Sequence, residues 1–175
     1  MISNKTYLSW HKKLEENSML KSIVVFFGLY SLLLIYAAGL YLLVLGKYKE
    51  LILLLVSFVL ARIIINPLVF LVYKRQRPYQ KLNFVPPHNA WLFSNITARY
   101  NSFPSDHAAS FASIAAPLVI FFPLLGGVII IIAIFNGLSR IVLGYHYISD
   151  ILAGWLVGLL AAWVAMGWIW PIVLH

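Results

Sequence analysis

Five long apolar runs, joined by polar connections, restrict what this chain can fold into more than any other feature. They are Lys21–Leu45, Leu51–Tyr73, Ala108–Phe122, Leu124–Leu143 and Ile151–Leu174. Most approach the roughly 20 residues that a helix needs to cross a hydrocarbon core of about 30 Å. Ala108–Phe122 is shorter, and Pro117 interrupts it. With 62% hydrophobic and 10% charged residues, most of the surface must face lipid. In lipid every backbone N–H and C=O needs an internal partner, so successive apolar runs of this length fold as helices. The expected fold is an all-α integral membrane protein with about five transmembrane helices in one domain over residues 1–175.

Residues 1–20 differ in character. Lys5, Lys12, Lys13, Glu15 and Glu16 alternate with Tyr7, Leu8, Trp10, Leu14, Met19 and Leu20, which predicts an amphipathic helix lying in the membrane interface. A signal peptide is the competing reading, but the charged stretch is long and no small-residue cleavage site follows the next apolar run. Lys74–Ser105 is the one long non-apolar stretch and carries Pro78, Pro86, Pro87 and Pro104. It reads as a loop. Five spans place the amino terminus, this loop and the Gly144–Ser149 turn on one side of the membrane. Counting Lys and Arg would make that side cytoplasmic, although loop cations that bind phosphate answer to chemistry rather than topology.

Composition removes several functions. There are no cysteines, so thiolate nucleophiles, zinc-thiolate sites and disulfides are excluded. The net charge of +8 is not laid out as a basic face with interleaved aromatics, so membrane and phosphate are better partners than nucleic acid. Of five acidic residues, Glu15, Glu16 and Glu50 flank the first run, which leaves Asp106 and Asp150. A two-metal hydrolase needs more carboxylates than that. No metal or cofactor is expected.

Three segments place polar groups at span ends on the same side: Lys74-Arg75-Gln76-Arg77-Pro78, Pro104-Ser105-Asp106-His107, and Ser139-Arg140 followed by His146 and Asp150. Singly, the first would serve as a juxtamembrane anchor and either histidine as an interfacial hydrogen-bonder. Together they suggest more. A helix beginning near His146 would align His146, Asp150, Gly154, Gly158 and Ala162 on one stripe. Gly154 and Gly158 mark close packing against another helix. Asp150, one turn from His146, could then fix the imidazole tautomer and leave the other nitrogen as a nucleophile. Arg140 could clamp phosphate oxygens. Pro104, in a first helical turn, would open a helix whose N–H groups bind an anion, with His107 beside it as a general acid.

This order and spacing resembles the type 2 phosphatidic acid phosphatase superfamily, whose pattern is Lys-x6-Arg-Pro, Pro-Ser-Gly-His and Ser-Arg-x5-His-x3-Asp. The resemblance implies that His146 forms a phosphohistidine, Asp150 orients it and His107 protonates the leaving group. Arg77, Arg140, Ser105 and amides near Asp106 would hold the phosphoryl oxygens. Two positions depart from the pattern. Phe70 stands where the lysine belongs, leaving Lys74 as its candidate replacement, with Arg75 expected to matter less. Asp106 replaces the glycine and would need to point away or pair with Lys74, Arg75 or Arg99. Both departures are similar to the bacterial undecaprenyl-pyrophosphate phosphatase branch, as are Ile65-Asn66 and Asn17-Ser18-Met19-Leu20.

That resemblance implies hydrolysis of undecaprenyl pyrophosphate to the monophosphate at the outer face of a bacterial cytoplasmic membrane. Phosphatidylglycerophosphate, phosphatidic acid and the 1-phosphate of lipid A are alternative substrates. A metal-dependent hydrolase using His107, His146 and Asp150 as ligands, and a non-catalytic anion pore, are alternatives of other classes.

Overall fold

The computed structural model describes residues 4–85, 102–169 and 171, and among these it is helical with no β-strand. The expected end of the last span at Leu174, and Arg99, lie outside the described residues. Helix α1 (Asn4–Glu16) precedes α2 (Ser18–Tyr30), α3 (Leu32–Val44), α4 (Tyr48–Val72) and the single turn α5 (Pro78–Lys81). Then come α6 (Asp106–Phe121), α7 (Pro123–Val142) and α8 (Ile148–Trp168).

α4, α7 and α8 are each long and apolar enough to cross a membrane alone. The first expected span is not one straight helix. α2 and α3 meet at a 53° bend, after a π-helical turn at Phe26–Tyr30. Ser31 sits at the break with its hydroxyl donating to the Phe27 carbonyl, a local competition with the helical ladder that bends helices. α6 has 16 residues, about 24 Å at helical rise and so shorter than a hydrocarbon core of about 30 Å. It is instead the most enclosed helix, with all residues from Ala108 to Ala115 buried.

The α6–α8 contact sets the geometry of the bundle. A Cβ on Gly154 would fall 2.5 Å from the Ser105 carbonyl oxygen, and one on Gly158 would fall 2.4 Å from that of Ala109. Only glycine allows this approach, and the small-residue stripe expected from sequence lies where two backbones nearly touch. Phe111, Ile114 and Leu118 of α6 face Ile35, Leu42 and Leu54 of α3 and α4 in the main apolar core.

α1 is amphipathic: Tyr7 and Leu14 are buried, while Lys5, Lys12, Lys13, Glu15 and Glu16 are exposed. Tyr7 packs with Ile141 and Ile151, and Leu14 with Leu143 and Tyr145. The helix therefore lies across the ends of α7 and α8. His11 Nε2 bonds the Val85 carbonyl at 2.8 Å, which ties it to the chain leaving α5.

Candidate active site

The turn between α7 and α8 is built by backbone rules. α7 closes with Leu143 N–H donating to Ser139 and Gly144 N–H donating to Ile141. Gly144 has φ +76°, the left-handed conformation that suits glycine after a helix end. A Cβ there would also strike the Phe84 ring at 2.4 Å. The chain then folds back, and the Tyr145 and His146 amides both donate to the Arg140 carbonyl. This holds His146 beside Arg140, although six residues separate them.

α8 begins at Ile148, two residues later than His146, so His146 and Asp150 are not on successive turns of one helix. This changes the expected hydrogen bond. His146 Nδ1 donates to the Ser102 carbonyl at 2.8 Å, while the Asp150 carboxylate is 3.7 Å away, too far for a hydrogen bond. Asp150 acts one step removed: Oδ2 accepts from the Ser102 hydroxyl at 2.5 Å and from the Tyr147 amide at 2.9 Å. Its Oδ1 accepts from Arg75 at 2.6 Å. The carboxylate thereby caps α8 and steadies the residue whose carbonyl holds the imidazole.

Partner chemistry settles the tautomer. A carbonyl only accepts, so Nδ1 carries the proton. Arg140 Nη2, which only donates, stands 3.2 Å from Nε2, so Nε2 presents its lone pair. Burial holds the His146 pKa down to about 3, because a charged imidazole is costly away from water. The ring is neutral with a lone pair directed at a guanidinium. Arg140 is 5% exposed and is steadied by its Nη1 donating to the Gly28 carbonyl in the π-turn of α2.

On the facing side, Ser105 caps α6 by accepting from the Ala108 amide at 3.5 Å, and its own amide donates to the Asp150 carbonyl. Capping moves the helix start to Asp106 and leaves Pro104 ahead of it, outside the expected first turn. His107 follows in the first turn of α6. Among the described residues Asp106 pairs with neither Lys74 nor Arg75: its Oδ1 accepts from the buried Asn66 side chain at 2.7 Å. Arg77 is half-buried 5.9 Å from the Tyr145 ring centroid.

The structure thus brings His146, Asp150, His107, Ser105, Arg77 and Arg140 to one end of α6, α7 and α8. Lys74 is different. α4 ends at Val72 and the chain extends, which leaves Lys74 exposed with no hydrogen bond or ion pair among the described residues. Arg75 is the one turned inward, bonded to Ser149 at 2.7 Å as well as to Asp150, and stacked 3.9 Å over the Tyr147 ring. Residues 73–77 are extended rather than helical, so the adjacent Lys74 and Arg75 side chains point to opposite sides. Sequence reasoning also passed over Ser102, which has no signal apart from preceding Phe103-Pro104, and Arg62, whose charge inside an apolar run was a signal.

A bundle of lipid-facing helices that gathers two histidines, a buried carboxylate and several guanidiniums at one membrane-proximal end defines an integral membrane enzyme that handles phosphate. The family model described as PAP2 superfamily matches residues 50–173, and the chain belongs to that superfamily. It is 32% identical over 148 residues to the bacitracin transport permease protein BcrC of Bacillus licheniformis, covering 85% of this chain and 71% of that protein. Undecaprenyl-diphosphatase BcrC of Bacillus subtilis is 30% identical over 103 residues, 58% of this chain and 49% of that one. The crystal structure of Aquifex aeolicus LpxE shares the fold with TM-score 0.62 at 18% identity, covering 86% of this chain and 85% of that one. The protein is a membrane lipid phosphatase.

Proposed function

We propose that the chain hydrolyses a polyprenyl diphosphate, undecaprenyl diphosphate in particular, to the monophosphate and inorganic phosphate at the outer face of a bacterial cytoplasmic membrane. The observation that carries the chemistry is His146, with its Nδ1 proton committed to Ser102 and its Nε2 lone pair facing Arg140. The substrate reading draws on the similarity to the Bacillus subtilis undecaprenyl-diphosphatase.

In this mechanism a phosphoryl group enters between His146 and Arg140, and the guanidinium moves from the lone pair onto the phosphoryl oxygens. Arg77, Ser105 and the first amides of α6 complete the clamp, as suits a transfer that mainly needs positioning and positive charge. Nε2 attacks phosphorus, the bond from phosphorus to the bridging oxygen breaks, and His107 delivers a proton to the departing lipid phosphate. A water then gives its proton to His107 as its oxygen attacks the phosphohistidine. This releases phosphate and restores the Nε2 lone pair. Asp150 keeps Ser102, and through it the imidazole, in place.

The test is phosphate release by detergent-purified protein from polyprenyl diphosphate, phosphatidylglycerophosphate, phosphatidic acid and lipid A 1-phosphate. The highest kcat/KM should fall on the diphosphate. A preference for any of the others moves the substrate assignment, and release from none defeats the reading. Activity should persist in excess EDTA, since guanidiniums and helix amides supply the positive charge. Loss that magnesium or zinc restores would transfer the protein to a metal-dependent class.

A further inference from the structure

Arg62 is a charged residue near the middle of α4, within a span of mean hydropathy 2.4. Charges at that depth are costly and face protein or a polar cavity. Its Nη1 donates to the Ser110 hydroxyl of α6 at 3.1 Å, and Ser110 in turn donates to the Asp106 carbonyl at 2.7 Å. Arg62 is thereby joined to the turn of α6 that carries His107. It stands in a π-helical segment, Leu60–Ile65, an irregularity common at functional sites.

Arg62, Asn66 and Phe70 recur every four residues on α4, so they share one face of the helix. Asn66 on that face is fully buried and holds Asp106. Phe70, where the first motif's lysine is missing, puts no cation there. Eight residues deeper, about 12 Å at helical rise, the same face presents Arg62. Its guanidinium is fixed to Ser110, three residues beyond His107 on α6. Through Ser110, Arg62 is tied to the turn of α6 that carries the candidate acid His107.

We propose that Arg62 is a phosphate ligand on the leaving-group side, which holds the departing phosphate of a lipid diphosphate and so selects diphosphates over monophosphates. This rests on the phosphatase reading above. The chemistry of the two leaving groups differs in the needed way. A lipid diphosphate leaves as a phosphate monoester that gains charge as the bridging bond breaks, and a guanidinium stabilises it. A lipid monophosphate leaves as an alcohol, which gives Arg62 nothing to grip.

The experiment measures kcat/KM of the purified full chain on a polyprenyl diphosphate and on the matched monophosphate, for wild type, R62Q, R62K and S110A. The ratio of the two values should fall about 30-fold or more in R62Q, fall less in R62K, and hold in S110A, which keeps the guanidinium. Inorganic pyrophosphate should lose potency as an inhibitor of R62Q more than orthophosphate does. An unchanged ratio in R62Q and R62K, or a fall in S110A equal to that in R62Q, overturns the proposal. The second outcome would make Arg62 a packing element. Wild-type protein that releases phosphate from neither lipid defeats the phosphatase reading instead, so the two failures are distinct.

Discussion

The turn from α7 to α8 and the segment from α4 to α5 both bring cations to the same site, yet their residues hold their places by different means. In the first, Ser139 to Asp150 is governed by short-range structure: a glycine-terminated helix, a fold-back onto the Arg140 carbonyl, and a carboxylate that caps the next helix. In the second, Tyr73 to Arg77 is extended chain between two helices, and each side chain goes where tertiary partners take it. Sequence spacing brings the right residues together in the first region, although α8 starts too late for a direct His146–Asp150 hydrogen bond, and it is a poor guide in the second.

Four substitutions sharpen that contrast. The largest effect is expected for His146→Ala, which removes the nucleophile and should cost at least about a thousandfold in kcat with the fold retained. A variant keeping a tenth of the wild-type rate would remove His146 from that role. Next, Arg75→Ala should lower the rate about 100-fold and also reduce thermal stability. It leaves the fully buried Asp150 carboxylate without its ion-pair partner. Near-normal turnover in Arg75→Ala would mean that Asp150 does not depend on the extended segment. Ser102→Ala removes the hydroxyl that bonds Asp150 but keeps the carbonyl that holds His146. A loss of about tenfold, mostly in kcat, is expected, whereas a loss as large as for His146→Ala would place the hydroxyl itself in the chemistry. Lys74→Ala should be least damaging, within about twofold, because the side chain is exposed. A 100-fold loss there would restore Lys74 as the missing motif lysine.

A pH profile tests the protonation state of His146. The folded-state pKa of His146 is depressed to about 3 by burial, so its lone pair is available above that value and is lost only as pH falls through it. The His146 limb should therefore lie near pH 3, far below the imidazole reference of about 6.5.

Much of this was legible in the chain itself. Apolar run length determined an all-helical membrane bundle, because lipid leaves the backbone no other way to pair its polar groups. Gly154 and Gly158 announced a close helix contact, since backbone approach at that distance admits no Cβ. Helix bends and starts were less accessible. The break at Ser31 comes from a side-chain hydrogen bond, and the late start of α8 from a carboxylate cap, neither of which hydropathy registers.

What the sequence by itself determined was therefore the solvent, the helices and the set of ionisable residues at their ends, all of which follow from local chemistry and its period. Only the tertiary structure decided how those residues pair. Ser102 stands between Asp150 and His146, Asn66 holds Asp106, and Arg75 rather than Lys74 turns inward. Each pairing joins residues at least 40 positions apart in the chain. A carboxylate or an imidazole taken out of water binds whichever donor or acceptor the packed helices bring within 3 Å, and no periodicity along the chain encodes that meeting.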